Sequence, residues 1–481
     1  MRGGKRWGQA MVVLLTAAVL PHTGHAADAA DKALENRVRA LEQKLDQQQK
    51  GTATEQKSVS DRIAAIENEV KDTQKSLLER TGISIHTLLA VDYLYDINAP
   101  AGSSVSAPGL PNQLPAGTAT AQPFLRVFAN EKNSFILNLA NLHFERTADN
   151  LPGFVIDVDF GKTADVVNNA TYFGRHDNGI PITGNGTDFF DVRQFYITYT
   201  APVGSGIKLK VGRFVTLAGA EVIKSYNNFN YNITNAILFG FAIPFTHTGI
   251  MSSYAFSDQV SLDLGVVNGW DAVADNNDGK TVHSGLTLAF DPRITFYQTF
   301  TYGPEQTGRF VTNTVSNTCS GSANGGPCDP TLQLYVHPGK SKRLLLTSLL
   351  TIKPIDPLTL IIDYDYGNEG DSVPENGALR RAYWQGVAGY IIYNFTDDLS
   401  ACLRAEMFDD VNGARVFAPG GSGFHATYAE ITPTLTYRIT DGLYWRNEYR
   451  HDESDSKKVF AHQQNLIRGQ DTIATELLYT F

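Results

Sequence analysis

The chain has 481 residues, 42% of them hydrophobic and 19% charged, with a formal net charge of −10 and a mean hydropathy of −0.20. So acidic a chain is a poor match for a nucleic-acid partner. No segment beyond the amino terminus reaches 18 continuous apolar residues, which excludes membrane-spanning helices but not spanning strands, whose apolar face is hidden in alternation.

Residues 1–26 form the first element. Arg2, Lys5 and Arg6 precede an apolar run, Ala10 to Leu20, that is too short to span a bilayer as a helix. Gly24 and Ala26 then supply small residues at −3 and −1, so the segment reads as a secretory signal peptide cleaved after Ala26. Losing its three basic residues takes the charge from −10 to −13.

Residues 27–80 carry no proline or aromatic residue. Leu34, Val38, Leu41 and Leu45 are spaced four, three and four, and Val59, Ile63, Ile66, Val70, Thr73 and Leu77 repeat that spacing. Both are heptad seams, out of phase across Gly51, and predict a coiled coil interrupted by a stutter. A seam of this kind needs partner helices, which points to a homo-oligomer.

From residue 81 to 481 the period changes to two. Ile83, Ile85, Thr87, Leu89, Val91, Tyr93 and Tyr95 alternate with a more polar set that includes Asp92 and Asp96. The pattern recurs in Leu358–Tyr366, Leu399–Met407, Leu443–Arg450 and the terminal strand Thr472–Phe481. Short turns rich in Asp, Pro, Gly and Ser separate these runs near 148–150, 202–205, 257–259, 291–293, 354–357, 396–398 and 440–442. Long irregular connections fall at about 98–133, 161–187, 215–245, 268–280, 304–340, 368–378, 409–422 and 452–470. Seven short and eight long connections in strict alternation require sixteen strands and place all turns at one end. The fold class is therefore an all-β membrane protein, an up-and-down antiparallel transmembrane barrel of about sixteen strands behind a helical coiled coil. Its apolar face meets outer-membrane lipid, and a barrel this wide encloses water.

Particular segments resemble a known family. Gly219–Ile223, Gly240–Gly249, Val267–Asp271, Asp275–Thr281 and Phe190–Tyr196 followed by Pro202-Val203-Gly204 are similar to those of the putative β-barrel porin-2 (OmpL-like) family of Gram-negative bacteria. The resemblance implies an outer-membrane porin passing small hydrophilic solutes or ions by passive diffusion, with a trimer as the expected assembly. It does not extend to the segment before the barrel, which looks more like the periplasmic extension of other outer-membrane channels and leaves peptidoglycan contact open. In general porins the third long loop narrows the lumen. By that analogy loop 215–245 is the constriction, with Glu221, Lys224, Tyr226, Phe229 and Tyr231 as its candidate residues. Its apolar tail, Ala236 to Phe245, has little use in a loop lying free in solvent.

Alternation directs Lys208, Lys210, Asp363, Asp365, Arg381, Arg404, Glu406, Arg438, Arg446, Glu448 and Arg450 toward the lumen. Arg404 beside Glu406, and Arg446 beside Glu448, stand as potential neutralising neighbours. Cys319 and Cys328 lie in a Gly/Asn/Pro/Ser-rich loop, where a local disulfide and two free thiols both fit an exported chain. Cys402 stands alone in a predicted strand, and no His/Cys spacing suits a metal or cofactor site. Scattered histidines without a nucleophile motif argue against an enzyme. A structural tether or adhesin built on the coiled coil and outer loops is the alternative function.

Overall fold

The structure is a computed structural model that describes residues 81–98, 126–129, 133–146, 151–168, 189–306, 309–312, 333–336, 339, 341–375, 378–416, 425–455, 460–462 and 465–481, with isolated positions before residue 81. Its contacts divide the chain into Met1–Glu79 and Arg80–Phe481. In the first unit Arg39, Asp61, Arg62, Ala65 and Glu69 are helical and exposed. The heptad seams predicted there, and the Cys319 and Cys328 pair, lie outside the described residues.

The second unit is built on strands β1 (Ile83–Asp96), β2 (Ser134–Arg146), β3 (Gly153–Phe160), β4 (Phe190–Ala201), β5 (Ile207–Val215), β6 (Thr246–Ala255), β7 (Val260–Val267), β8 (Thr281–Asp291) and β9 (Ile294–Pro304). After a small loop hairpin, β10 (Arg309–Thr312) with β11 (Gln333–Val336), come β12 (Lys342–Ile355), β13 (Leu358–Glu375), β14 (Ala378–Asn394), β15 (Leu399–Asp410), β16 (Ala426–Thr440) and β17 (Leu443–Ser454). A second loop hairpin, β18 (Phe460–His462) with β19 (Asn465–Ile467), precedes β20 (Gly469–Thr480). Without the two hairpins, sixteen strands close into one antiparallel barrel in chain order. The last strand returns to the first through Val91 opposite Leu477 and Asp92 opposite Glu476. Closure leaves no unpaired edge, the condition for crossing lipid with strands.

The alternation read in the sequence separates two environments. Outward side chains are large and apolar, among them Phe135 at 81% exposure, Ile391 at 51% and Leu264 at 50%. Inward side chains carry the charges, and Arg404, Arg446 and Glu476 are each 0% exposed. A charge costs a few kcal/mol at the bilayer midplane, so this sorting is what a lipid-facing wall demands.

One predicted loop is absent. Residues 368–378, read as a long connection, are instead mostly strand. After an irregularity between Glu369 and Val373, pairing resumes with Val373 opposite Arg380 and Glu375 opposite Ala378. β13 and β14 are thus joined by only two residues. The glycine at 367 has a packing reason: a Cβ there would lie 2.0 Å from the Trp384 ring.

Candidate functional site

The connection between β5 and β6 does not stand in solvent. Almost every residue from Ala218 to His247 is buried or half-buried, and its partners are inward side chains of the barrel wall. The loop enters through Gly219, whose φ of +87° and contact with Ile243 disfavour any side chain. The Ala220 N–H then donates to Asp363 Oδ2 on β13 at 2.8 Å.

Carboxylates of the wall hold the loop by its backbone. Glu448 accepts the Ile233 N–H at 2.6 Å, the Thr234 N–H at 3.1 Å and the Thr234 hydroxyl at 2.5 Å. Glu406 accepts the Ile237 N–H at 2.5 Å and the Leu238 N–H at 3.0 Å. Arginines take the carbonyls: Arg450 donates to Asn235 O at 2.7 Å, and Arg446 to Asn230 O at 3.1 Å. Loop backbone that leaves water must be paired, and here side chains of the wall replace a ladder strand.

The loop's own charges complete the network. Glu221 accepts from Arg404 Nη1 at 2.6 Å and from the Ala236 N–H at 2.9 Å. Lys224 pairs with Glu476, which also takes Arg446 at 2.6 Å. The sequence placed Arg404 beside Glu406 and Arg446 beside Glu448 as neutralising neighbours. The structure corrects this: Arg404 pairs with Glu221 and Glu430, Arg446 pairs with Glu476, and Glu406 and Glu448 are taken up by loop N–H groups. Alternation gives the face of a side chain but not which element lies over it.

An apolar wedge follows. Leu238–Ala242 form a single π-helical turn. Leu238, Phe239, Phe241, Ile243 and Phe245 pack in one cluster with Trp384, Tyr390, Phe408 and Tyr428 of β14, β15 and β16. Burial of such side chains stabilises by about 2 kcal/mol each. Trp384 Nε1 donates to Ala242 O at 3.1 Å, which fixes the turn against the wall.

Residues 126–129, near the end of the first outer loop, also lie against the inner wall, and nothing in the sequence singled them out. Arg126 donates to Asp452 Oδ2 at 2.5 Å and to the Thr472 hydroxyl at 3.0 Å. Phe128 lies 5.6 Å from Phe239 and 5.1 Å from Phe245, ring centre to ring centre. Val127 sits where a Cβ on Gly240 would approach to 3.1 Å. The only available signal was an apolar pair at the end of a Pro/Gly/Ala-rich stretch, which does not reveal a location.

The remaining predicted residues divide by height and face. Asp365 is inward and buried, accepting the Thr347 hydroxyl at 2.6 Å. The Tyr226 ring stacks on His86 at 4.2 Å, and Phe229 packs 5.0 Å from Tyr444 with the Arg446 guanidinium over its ring. Tyr231 is 48% exposed. Lys208 and Lys210 share the inner face of β5, and Arg438 pairs with Asp398 beside a short turn at 2.8 Å. Arg381 does not face inward. It is exposed and shares the outer face of β14 with Tyr383, donating to Asn368 at 2.5 Å, because the inward parity of that strand belongs to Ala382, Trp384 and Ala388. Cys402 is a buried free thiol, 3.4 Å from Asn232 Oδ1.

At the loop end of the barrel Glu305 accepts the Trp270 N–H at 2.6 Å and the Thr281 hydroxyl at 2.5 Å. Burial pushes its carboxyl up to about 7, against the opposing pull of Arg343. A carboxyl raised in the folded state contributes stability below its unfolded value near 4.5 and loses that contribution as pH rises through about 7. Wild type is therefore expected to lose more thermal stability than Glu305→Gln between pH 5 and pH 8. Parallel pH profiles for the two proteins would show that Glu305 does not titrate in this way.

A closed, sixteen-strand antiparallel barrel with an apolar exterior, a charged interior and an infolded third loop is an outer-membrane channel by architecture. The chain belongs to the putative beta-barrel porin-2, OmpL-like family, whose model matches residues 89–481. It is a porin of the outer membrane. No curated protein matches the sequence. Among solved structures the chain is similar to the outer-membrane channel DcaP of Acinetobacter baumannii, at 11% identity and a TM-score of 0.48, covering 83% of this chain and 97% of that one. It is also similar to OprB of Pseudomonas putida, at 9% identity and a TM-score of 0.49, covering 86% and 97%. For OmpT of Vibrio cholerae the values are 11% and 0.47, covering 83% and 97%.

Proposed function

We propose that the protein is a passive diffusion channel for small hydrophilic solutes or ions, with loop 215–245 as its constriction. The observation that carries this reading is uneven filling of the lumen. The loop packs mainly on the inner faces of β13 to β17, β20 and β1 and reaches β4 through Arg193, which donates to Lys224 O at 2.6 Å, whereas inner positions toward the short turns of β4 to β9, such as Thr198, Ser253, Asp263 and Tyr297, remain partly exposed. A water path along this freer wall follows, with its width set by the loop. The inward charges on the covered side act as struts that hold the loop in place. Liposome swelling with neutral sugars of increasing size tests this. Swelling that falls off steeply with solute size is expected, and no swelling from a folded, inserted barrel would favour the tether.

The assembly is a homotrimer in outer-membrane lipid, with residues 27–80 as a periplasmic coiled coil that reaches toward peptidoglycan. The out-of-phase heptad seams support self-association. Deleting residues 28–80 is expected to lower the oligomer mass measured in detergent by light scattering. An unchanged mass would remove the coiled coil from assembly.

A further inference from the structure

We infer that Lys210, with Lys208 beside it on β5, selects for anions on the freer wall of the lumen, and that the inward arginines do not. This rests on the diffusion-channel reading above. The distinction lies in which cations are already neutralised. Arg404 pairs with Glu221 and Glu430, Arg446 with Glu476, Arg450 with Asp452, and Arg193 with Asp157 and Asp159, all of them buried. A cation paired with a carboxylate and removed from water presents little field to a passing solute.

Lys208 and Lys210 stand apart from this network. Neither has a carboxylate within 4.0 Å among the described residues. Lys208 is exposed and Lys210 half-buried, both on the freer part of the wall toward the short turn before β5. The Lys210 ammonium is held over the Phe214 ring at 4.5 Å and near the Tyr196 ring at 5.8 Å. Aromatic faces position a cation without cancelling its charge. On that wall Asp263 is reached across β6 through the pairing of Lys208 with Ser253 and Ser253 with Asp263. Asp263 accepts a hydrogen bond from the Ser253 hydroxyl, which fixes its carboxylate. Two ammonium groups without an ion pair beside one hydrogen-bonded carboxylate leave a local positive excess on β5 to β7. The ligand class is small anions, including chloride and short carboxylates.

Reversal potential across a potassium chloride gradient, with purified protein in planar bilayers, tests the assignment. Wild type is expected to favour chloride. Lys210→Gln should lower the chloride-to-potassium permeability ratio at least about twofold. Lys210→Arg should restore it, Asp263→Asn should raise it, and Arg381→Gln, on the outer face, should leave it unchanged. Lys208→Gln, at an exposed site, carries the same test if Lys210→Gln fails to fold. A cation-selective wild type, or a ratio that neither lysine moves, overturns the inference. Absence of any conductance from the folded wild type overturns the channel reading itself.

Discussion

Excising residues 219–243 and joining the ends with a short Gly/Ser link is expected to raise single-channel conductance at least about twofold, since the constriction sets the resistance of a wide barrel. The excised segment contributes Glu221, Lys224 and the apolar wedge from Leu238 to Ile243, and all of them occupy space inside the wall. Removing the loop leaves Glu406, Glu448, Arg446 and Arg450 facing water, an environment in which their charges are well solvated. The barrel ladder itself is untouched, because β5 and β6 pair with each other independently of the loop, from Lys208 opposite Ser253 to Val215 opposite Thr246. Heat-modifiable migration on a gel would establish that the variant folds. Conductance equal to wild type in a folded variant would show that residues 219–243 do not limit flow.

The second large effect concerns the clamp. Glu448→Ala removes the acceptor for two backbone N–H groups and the Thr234 hydroxyl in the loop, and for the Thr434 hydroxyl of the wall at 2.7 Å. Each buried donor left unsatisfied costs about 1–3 kcal/mol, and allowing for relaxation we expect a total loss of about 3 kcal/mol. Glu448→Gln keeps one acceptor oxygen and should lose less. Thermal unfolding followed by gel mobility should rank wild type above Glu448→Gln and Glu448→Ala lowest. Current noise should rise in the same order as the loop loosens. An unfolding midpoint for Glu448→Ala that matched wild type would mean that the loop does not depend on this carboxylate.

Much of the barrel was legible because lipid and water impose a period of two. Leu477 and Ile473 had to face out, and Glu476 had to face in, once the terminal strand was placed beside β1. The strand number followed from the alternation of short and long connections. The burial of loop 215–245 had a sequence signal in its apolar tail, since Leu238, Phe239 and Phe241 could not gain from exposure.

What was not legible came from contacts made across long stretches of chain. Nothing local connects Glu406 to the Ile237 N–H or Arg126 to Asp452. The inward parity of Arg404 was correct, yet its partners Glu221 and Glu430 lie on the loop and on β16. The outward face of Arg381 was not legible because both faces of β14 carry apolar residues, Trp384, Ala388, Tyr390 and Ile392 inward and Tyr383, Val387 and Ile391 outward. The extension of β13 and β14 turned a predicted loop into strand. Turn-forming residues mark where a bend is permitted, and cross-strand pairing decides whether it is used.

The most direct test of the account is stepwise conductance of the purified wild-type protein in a planar bilayer. A loop-narrowed, water-filled barrel predicts discrete, long-lived, ohmic steps in symmetric salt. A folded barrel that inserts without producing steps would mean that the infolded loops seal the lumen, which contradicts the channel.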